Sequence, residues 1–217
     1  MLQSDHYELL DRLRLGKSAE DRHQALNELM IKEQNGEFEQ GDMISLLENQ
    51  DPVYQAYAIG AVGRIRMEGC ASQLKSIFLN SNNPLILVAL LDAFLAFESD
   101  EFIDAVIKKL KNPRKKAGFL RKETSLIETA FDSEMILDQI LVPALKYLQV
   151  GGNSGIGKKI EIYLAHDDST VRWHTLSAFD KLSIPLDNNQ LAEIKATDEN
   201  ALVREQAAIM LEKSQTA

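Results

Sequence analysis

The chain of 217 residues carries a single cysteine, Cys70, which excludes an internal disulfide and suits a reducing compartment. Long apolar runs are missing too. The greasiest stretch, Pro84 to Phe97, is 14 residues long and contains Asp92, whereas a membrane span needs roughly 20 apolar residues. It reads as a buried helix. Met1 through Glu8 show no basic region followed by an apolar stretch, so no secretory signal is expected and the cytoplasm is the expected location. No segment sustains period-2 alternation, which argues against a sheet. Aromatic residues make up 6% of the chain, and 24 basic residues face 33 acidic ones for a net charge of −9. That balance disfavours generic binding to nucleic acid or anionic membrane, where affinity depends on clustered cations. What the chain does have is 45% apolar content, enough to bury a sizeable core as one domain or one continuous stack.

The dominant positive feature is a motif that returns about every 32 residues. It is clearest from Asp51-Pro52-Val53-Tyr54 to Ile65, and recurs from Asn83-Pro84 to Phe97, Asp168 to Leu182 and Asn200 to Leu211. Aligned on one anchor, the units fall at positions 22, 54, 86, 120, 171 and 203. Four residues on stand Leu26, Ala58, Leu90, Thr124, Thr175 and Ala207; seven on, Leu29, Ala61, Ala93, Ile127, Ala178 and Met210; eight on, Met30, Val62, Phe94, Glu128, Phe179 and Leu211. An i, i+4, i+7, i+8 stripe is one face of a helix, and its small residues let neighbouring helices approach closely. Asp51-Pro52, Asn83-Pro84 and Asn112-Pro113 each place a capping residue before a proline at the first helical position; Asp168-Ser169 and Asp198-Glu199 serve without the proline. Shorter second helices are expected at 39–48, 69–80, 100–111, 154–166 and 188–196, the last capped by Asp187 and Asn188, and a terminal helix at 199–214. A period in this range means stacked supersecondary units.

The pattern resembles the HEAT repeat over most of the chain. That family's first helix favours an Asp/Asn-Pro start, then Val-Arg, then small residues and a final Leu or Ile. Val171-Arg172 and Val203-Arg204 match the central pair, Leu120-Arg121 nearly so; Tyr54-Gln55 and Ile86-Leu87 keep only the apolar half, and Arg22-His23 is the weakest unit. The resemblance implies an all-α, right-handed α-solenoid of about six helical hairpins. It also implies that the repeat arginines pair with an acidic residue of an adjacent repeat, for which Asp168 and Asp51 are the candidates. Within one domain, 1–217, we expect an N-terminal cap segment at 1–18, regular repeats at 19–111, an irregular region at 112–166, and C-terminal repeats and cap at 167–217. The irregularity is a jump in anchor spacing from 32, 32 and 34 to 51 between Leu120 and Val171, where two long helices, about 114–131 and 133–149, follow one another.

Charge changes at the same place. Lys108, Lys109, Lys111, Arg114, Lys115, Lys116, Arg121 and Lys122 lie in 108–122 with no acid among them, a segment of +8. The remainder then holds 24 − 8 = 16 basic against 33 acidic residues, or −17. Such an island suits an acidic or phosphorylated partner, guiding encounter as well as adding affinity. Lys158 and Lys159 open a later second helix and extend the candidate surface. Trp173, the one tryptophan, points away from the core stripe and adjoins Arg172; Trp and Arg are frequent interface anchors.

Motifs that invite chemistry fall short of it. Gly152 to Lys159 spells most of a phosphate-binding loop, but Lys159 stands where a Ser or Thr should hold magnesium and a helix precedes it in place of a strand; it reads as a glycine-rich connection. None of His6, His23, His166 and His174 is followed by Glu, so the His-Glu metal centre of some HEAT-like proteins is not expected. Cys70 reads as a small, semi-buried residue without a nucleophile's partners. We therefore expect no catalytic set, metal or cofactor. The expected function is a non-enzymatic scaffold or adaptor gripping a partner protein along the ridge of second helices, with a homo-oligomer left open. The alternatives implied by the resemblance are a HEAT-like bilin lyase or chromophore chaperone and, less favoured, a nucleic-acid-binding protein.

Overall fold

The computed structural model describes residues 4–37, 40–110 and 139–216, and all regular structure among them is helical. Their contacts gather into two compact units, Met1–Phe97 and Glu98–Ala217. No helix of the described residues is long and apolar enough to cross a membrane.

The first unit holds α1 (Ser4–Leu15), α2 (Ala19–Gln34), α3 (Gln40–Leu47), α4 (Pro52–Arg64), α5 (Ala71–Asn80) and α6 (Pro84–Phe97), with a 3-10 turn (Glu68–Cys70) before α5. Helices start where the capping chemistry lies: Ser18 Oγ accepts from the amide of Asp21, Asp51 from Val53 and Asn83 from Leu85. α1 and α2 form an antiparallel hairpin tied at both ends, by Lys32 to Asp5 at 2.8 Å and by Arg12 to Asp21 at 3.0 Å. α4 and α6 come closest. A Cβ on Gly63 would lie 2.7 Å from the Cα of Ala93, so only glycine permits that approach. Phe78 of α5 meets Phe94 of α6 edge to face, with centroids 5.3 Å apart. The stripes Tyr54-Ala58-Ala61-Val62 and Ile86-Leu90-Ala93-Phe94 are buried as the repeat pattern requires. In α2 the stripe is turned by one residue. Ala25, Leu29 and Glu33 are buried while Arg22 is exposed, because Glu33 must reach Arg64 of α4, which grips it through two bonds of 2.9 and 2.7 Å.

The second unit holds α7 (Ile103–Leu110) behind a 3-10 turn (Asp100–Phe102), a helix over 139–151 (α8), a short α9 (Gly157–Ile160), α10 (Ser169–Lys181), α11 (Asn188–Thr197) and α12 (Ala201–Thr216). The long helix expected at 114–131 lies outside the described residues. The second helix expected at 154–166 is a correction: α9 is one α turn between 3-10 turns at Ser154–Ile156 and Glu161–Ala165. Gly157 packs against the next linker, where an added Cβ would sit 2.6 Å from the Ile184 side chain. α12 also begins later than expected, capped by Asn200, whose Oδ1 accepts from the amide of Leu202. α8, α10 and α12 advance side by side in one direction. Gln149 meets His174 and Ser177, and a Cβ on Gly152 would meet Leu182; Asn200 Nδ2 donates to Ser169 and Gln206 to Asp180. Ser214 donates to Asn188, so α11 and α12 form an antiparallel pair.

Contacts at about one repeat length recur in both units. Arg64 and Glu33 are 31 residues apart, Asn200 and Ser169 31, Ser177 and Gln149 28, and Lys213 and Asp180 33. The sequence period is therefore also a spatial neighbour relation within each unit.

Candidate functional site

Of the island cations, Lys111, Arg114, Lys115, Lys116, Arg121 and Lys122 lie outside the described residues. Lys108 and Lys109 close α7. Lys108 is exposed, and burial of the half-covered Lys109 holds its ammonium below the usual lysine range. Lys158 and Lys159 are both exposed on α9. The two lysine pairs stand on neighbouring elements: Tyr163, just after α9, donates its hydroxyl to the carbonyl of Leu110 at the end of α7 at 3.2 Å. That phenol spans 53 residues of chain. It ties the helical run carrying Lys158 and Lys159 to the point where the basic island begins.

Trp173 is half-buried on α10, its ring edge to face with His174 at a centroid distance of 4.8 Å. His174 is buried in a polar joint between α8 and α10. The Gln149 amide donates to the His174 carbonyl at 3.0 Å and lies 3.2 Å from Nδ1, while Ser177 donates to Gln149 Oε1 at 3.4 Å. Burial first, then the charges of Lys146 and Lys181, pull the imidazole below its ordinary range, and Nδ1 lies where the Gln149 amide group can donate to it.

The HEAT resemblance offers Asp168 and Asp51 as partners for the repeat arginines, and neither meets one in the structure. Asp168 caps its own helix, accepting from the Thr170 amide at 2.7 Å. The partner of Arg172 is Asp198 of the next linker, gripped at 2.8 and 2.9 Å. Its other donors go to the carbonyls of His166 and Asp167 and to Glu199. All five guanidinium N–H positions are therefore occupied, and the shallow depression that Arg172 lines with His166, Asp198 and Glu199 has no spare donor from it. Asp51, the other candidate, pairs with Arg14 of α1 at 2.9 Å, an arginine outside the repeat positions.

The loop resembling a phosphate cradle is a packing element. It follows helix α8, and Gly151, Gly152 and Gly157 sit where a Cβ would strike Ser99 O, Leu148 O and Ile184. Cys70 is buried, more fully than expected, with Met67 Sδ 3.3 Å from its sulfur, and burial raises its thiol pKa. Among the described residues no three His, Cys, Asp or Glu side chains converge to hold a metal ion. Sequence reasoning missed an open apolar groove of about 250 Å³ in the first unit, lined by Leu13, Leu26, Val53, Ala56 and Leu85 with Arg64 at its edge. It missed the face of α8 beside Trp173 as well. The signal for that face was a helix with one charge, Lys146, and an outward Val150.

No family model and no curated protein matches the chain. A solved structure described as an engineered protein is similar to it at 14% identity, over 99% of this chain and 98% of that one, with a TM-score of 0.48. A likeness of that degree fixes neither fold family nor function.

Proposed function

We propose that this chain is a right-handed stack of HEAT-like helical hairpins that works as a non-enzymatic scaffold or adaptor, holding a partner protein with an acidic or phosphorylated surface. The observation that carries the reading is the charge distribution: +8 within 108–122 on a chain that is −17 elsewhere. A dense cationic strip on an acidic body attracts an anionic partner. Lys158 and Lys159 support it from the element tethered to the end of α7. The neighbour contacts at one repeat length support stacking, in which each unit contacts only those beside it and a long surface is offered for binding. The lone buried thiol of Cys70 suits a reducing cytoplasm.

The test is an affinity capture from native cytosol with wild type and a Lys111/Arg114/Lys115/Lys116→Glu variant shown to be folded by circular dichroism. A partner held by wild type, released by salt and lost by the variant is the expected result. Equal recovery by both proteins would make the island a solvated face and sink this reading.

A further inference from the structure

The outer face of the α8–α10 pair carries a second surface. Because the two helices advance together, Lys146, one turn before Gln149, stands level with Trp173, and Lys181 follows near the level of Gly152. Val150 is 55% exposed beside them, and Val142 is half-covered one turn before Lys146, so the two valines lie along one side of α8. Trp173 adds a half-exposed indole, the side chain that most often anchors protein interfaces.

Among the described residues, the charges on this face have one sign. Residues 139–151 contain a single ionisable charge, Lys146. On α10, Arg172 is held by Asp198, and Asp180 is held by Lys213 at 2.7 Å and by Gln206. Lys181 is left at the exposed end of the helix. The charges that bear on the buried His174 beneath are those of Lys146 and Lys181. An apolar strip flanked by two lysines has a specific complement: a segment with apolar side chains on one side and carboxylates next to them. Two cations are too few to hold a polyphosphate surface by counterion release, so nucleic acid and anionic membrane fit poorly.

We propose that Val142, Lys146, Val150, Trp173 and Lys181 form a docking face for an acidic amphipathic segment of a partner protein. The surface does not use the 108–122 segment, so it stands or falls separately from the scaffold reading above.

Trp173 is the one tryptophan of the chain and reports directly on cover of this face. The experiment titrates the full chain with a synthetic amphipathic Glu/Leu helical peptide, and separately with polyglutamate of equal charge, duplex DNA and phosphatidylserine vesicles. The expected result is a saturable blue shift of Trp173 emission and reduced acrylamide quenching with the Glu/Leu peptide. Affinity should fall roughly tenfold or more in Lys146→Glu/Lys181→Glu and in Val150→Asp, each checked for native circular dichroism. It should be unchanged in Lys115→Glu/Lys116→Glu. No saturable change, an equal response to polyglutamate, tighter binding of DNA or vesicles, or a loss confined to the Lys115→Glu/Lys116→Glu variant would each overturn the proposal. The last of these would instead support the basic segment as the contact.

Discussion

Arg172 and Asp198 are the residues on which the second unit's repeats join. Their side chains are 10% and 8% exposed, so the pair is nearly desolvated and its value lies in being complete. Arg172→Ala would strip the buried Asp198 carboxylate of its charged partner, leaving it the Asn200 amide, and would take the guanidinium from two linker carbonyls, at a cost of about 3–5 kcal/mol. The hydrogen bond from Arg172 is the main cause that holds the Asp198 carboxyl below the usual carboxylate range, against the opposing effect of burial. A depressed folded pKa gives stability that is fully present above the unfolded value, near 4, and is lost as pH falls through the folded one. Urea unfolding between pH 5 and pH 3 should therefore show wild type losing more stability than Asp198→Asn, since other carboxylates titrate in both. A pH-independent difference between the two proteins over that window would refute the linkage. The sequence pointed to Arg172 but not to its partner. The motif fixes where the arginine leaves its helix, while the acid that meets it is chosen by how far the next linker advances, and Asp168 was already engaged in capping.

Helix ends tell a similar story one scale up. Start signals were legible because a capping side chain acts on its own next residues: Asp51, Asn83, Asp168 and Asp187 each bond an amide two positions on. Stop signals were not, because three of the four left-handed closings lack the usual glycine. Arg66, Glu98 and Ser183 have φ of 49°, 53° and 52°, and Gly36 has 71°. At Ser183 the amide bonds to Asp180 O and that of Ile184 to Phe179 O, the double clasp that ends a helix; Arg66 and Met67 repeat it on Gly63 and Val62. A non-glycine residue pays about 1–2 kcal/mol to adopt this backbone. Ser183→Gly should accordingly raise stability by up to about 1 kcal/mol and Ser183→Val should lower it, read as opposite shifts of the thermal midpoint. Equal midpoints would mean that the strain is already relieved by the clasp. Within the second helix expected at 154–166, the α turn Gly157–Ile160 is flanked by 3-10 turns, a change of hydrogen-bond pattern that apolar spacing does not encode.

For the molecule as a whole, what the sequence made legible was the period, because each repeat must bury the same face against its neighbour. The stripes at 54, 86 and 171 are buried as that argument demands, and at 203 Leu211 is only partly covered. What stayed hidden were the surfaces, since a binding face is defined by which charges its neighbours leave uncompensated, as Lys146 and Lys181 are once Arg172 and Asp180 have found partners. The proposed stack also predicts how damage travels. Stability in such a chain is nearly a sum of unit and nearest-neighbour terms, so a local insult stays local. Gly63→Val tests this: a branched side chain there must displace the Ala93 backbone and should cost about 1–3 kcal/mol by overpacking. Under native conditions, amide exchange should accelerate in α4 and α6 while α10 and α12 keep their wild-type protection. Equal acceleration in all four helices would mean that the chain opens as one cooperative body, and the additive stack would then be the wrong description of how its repeats are held.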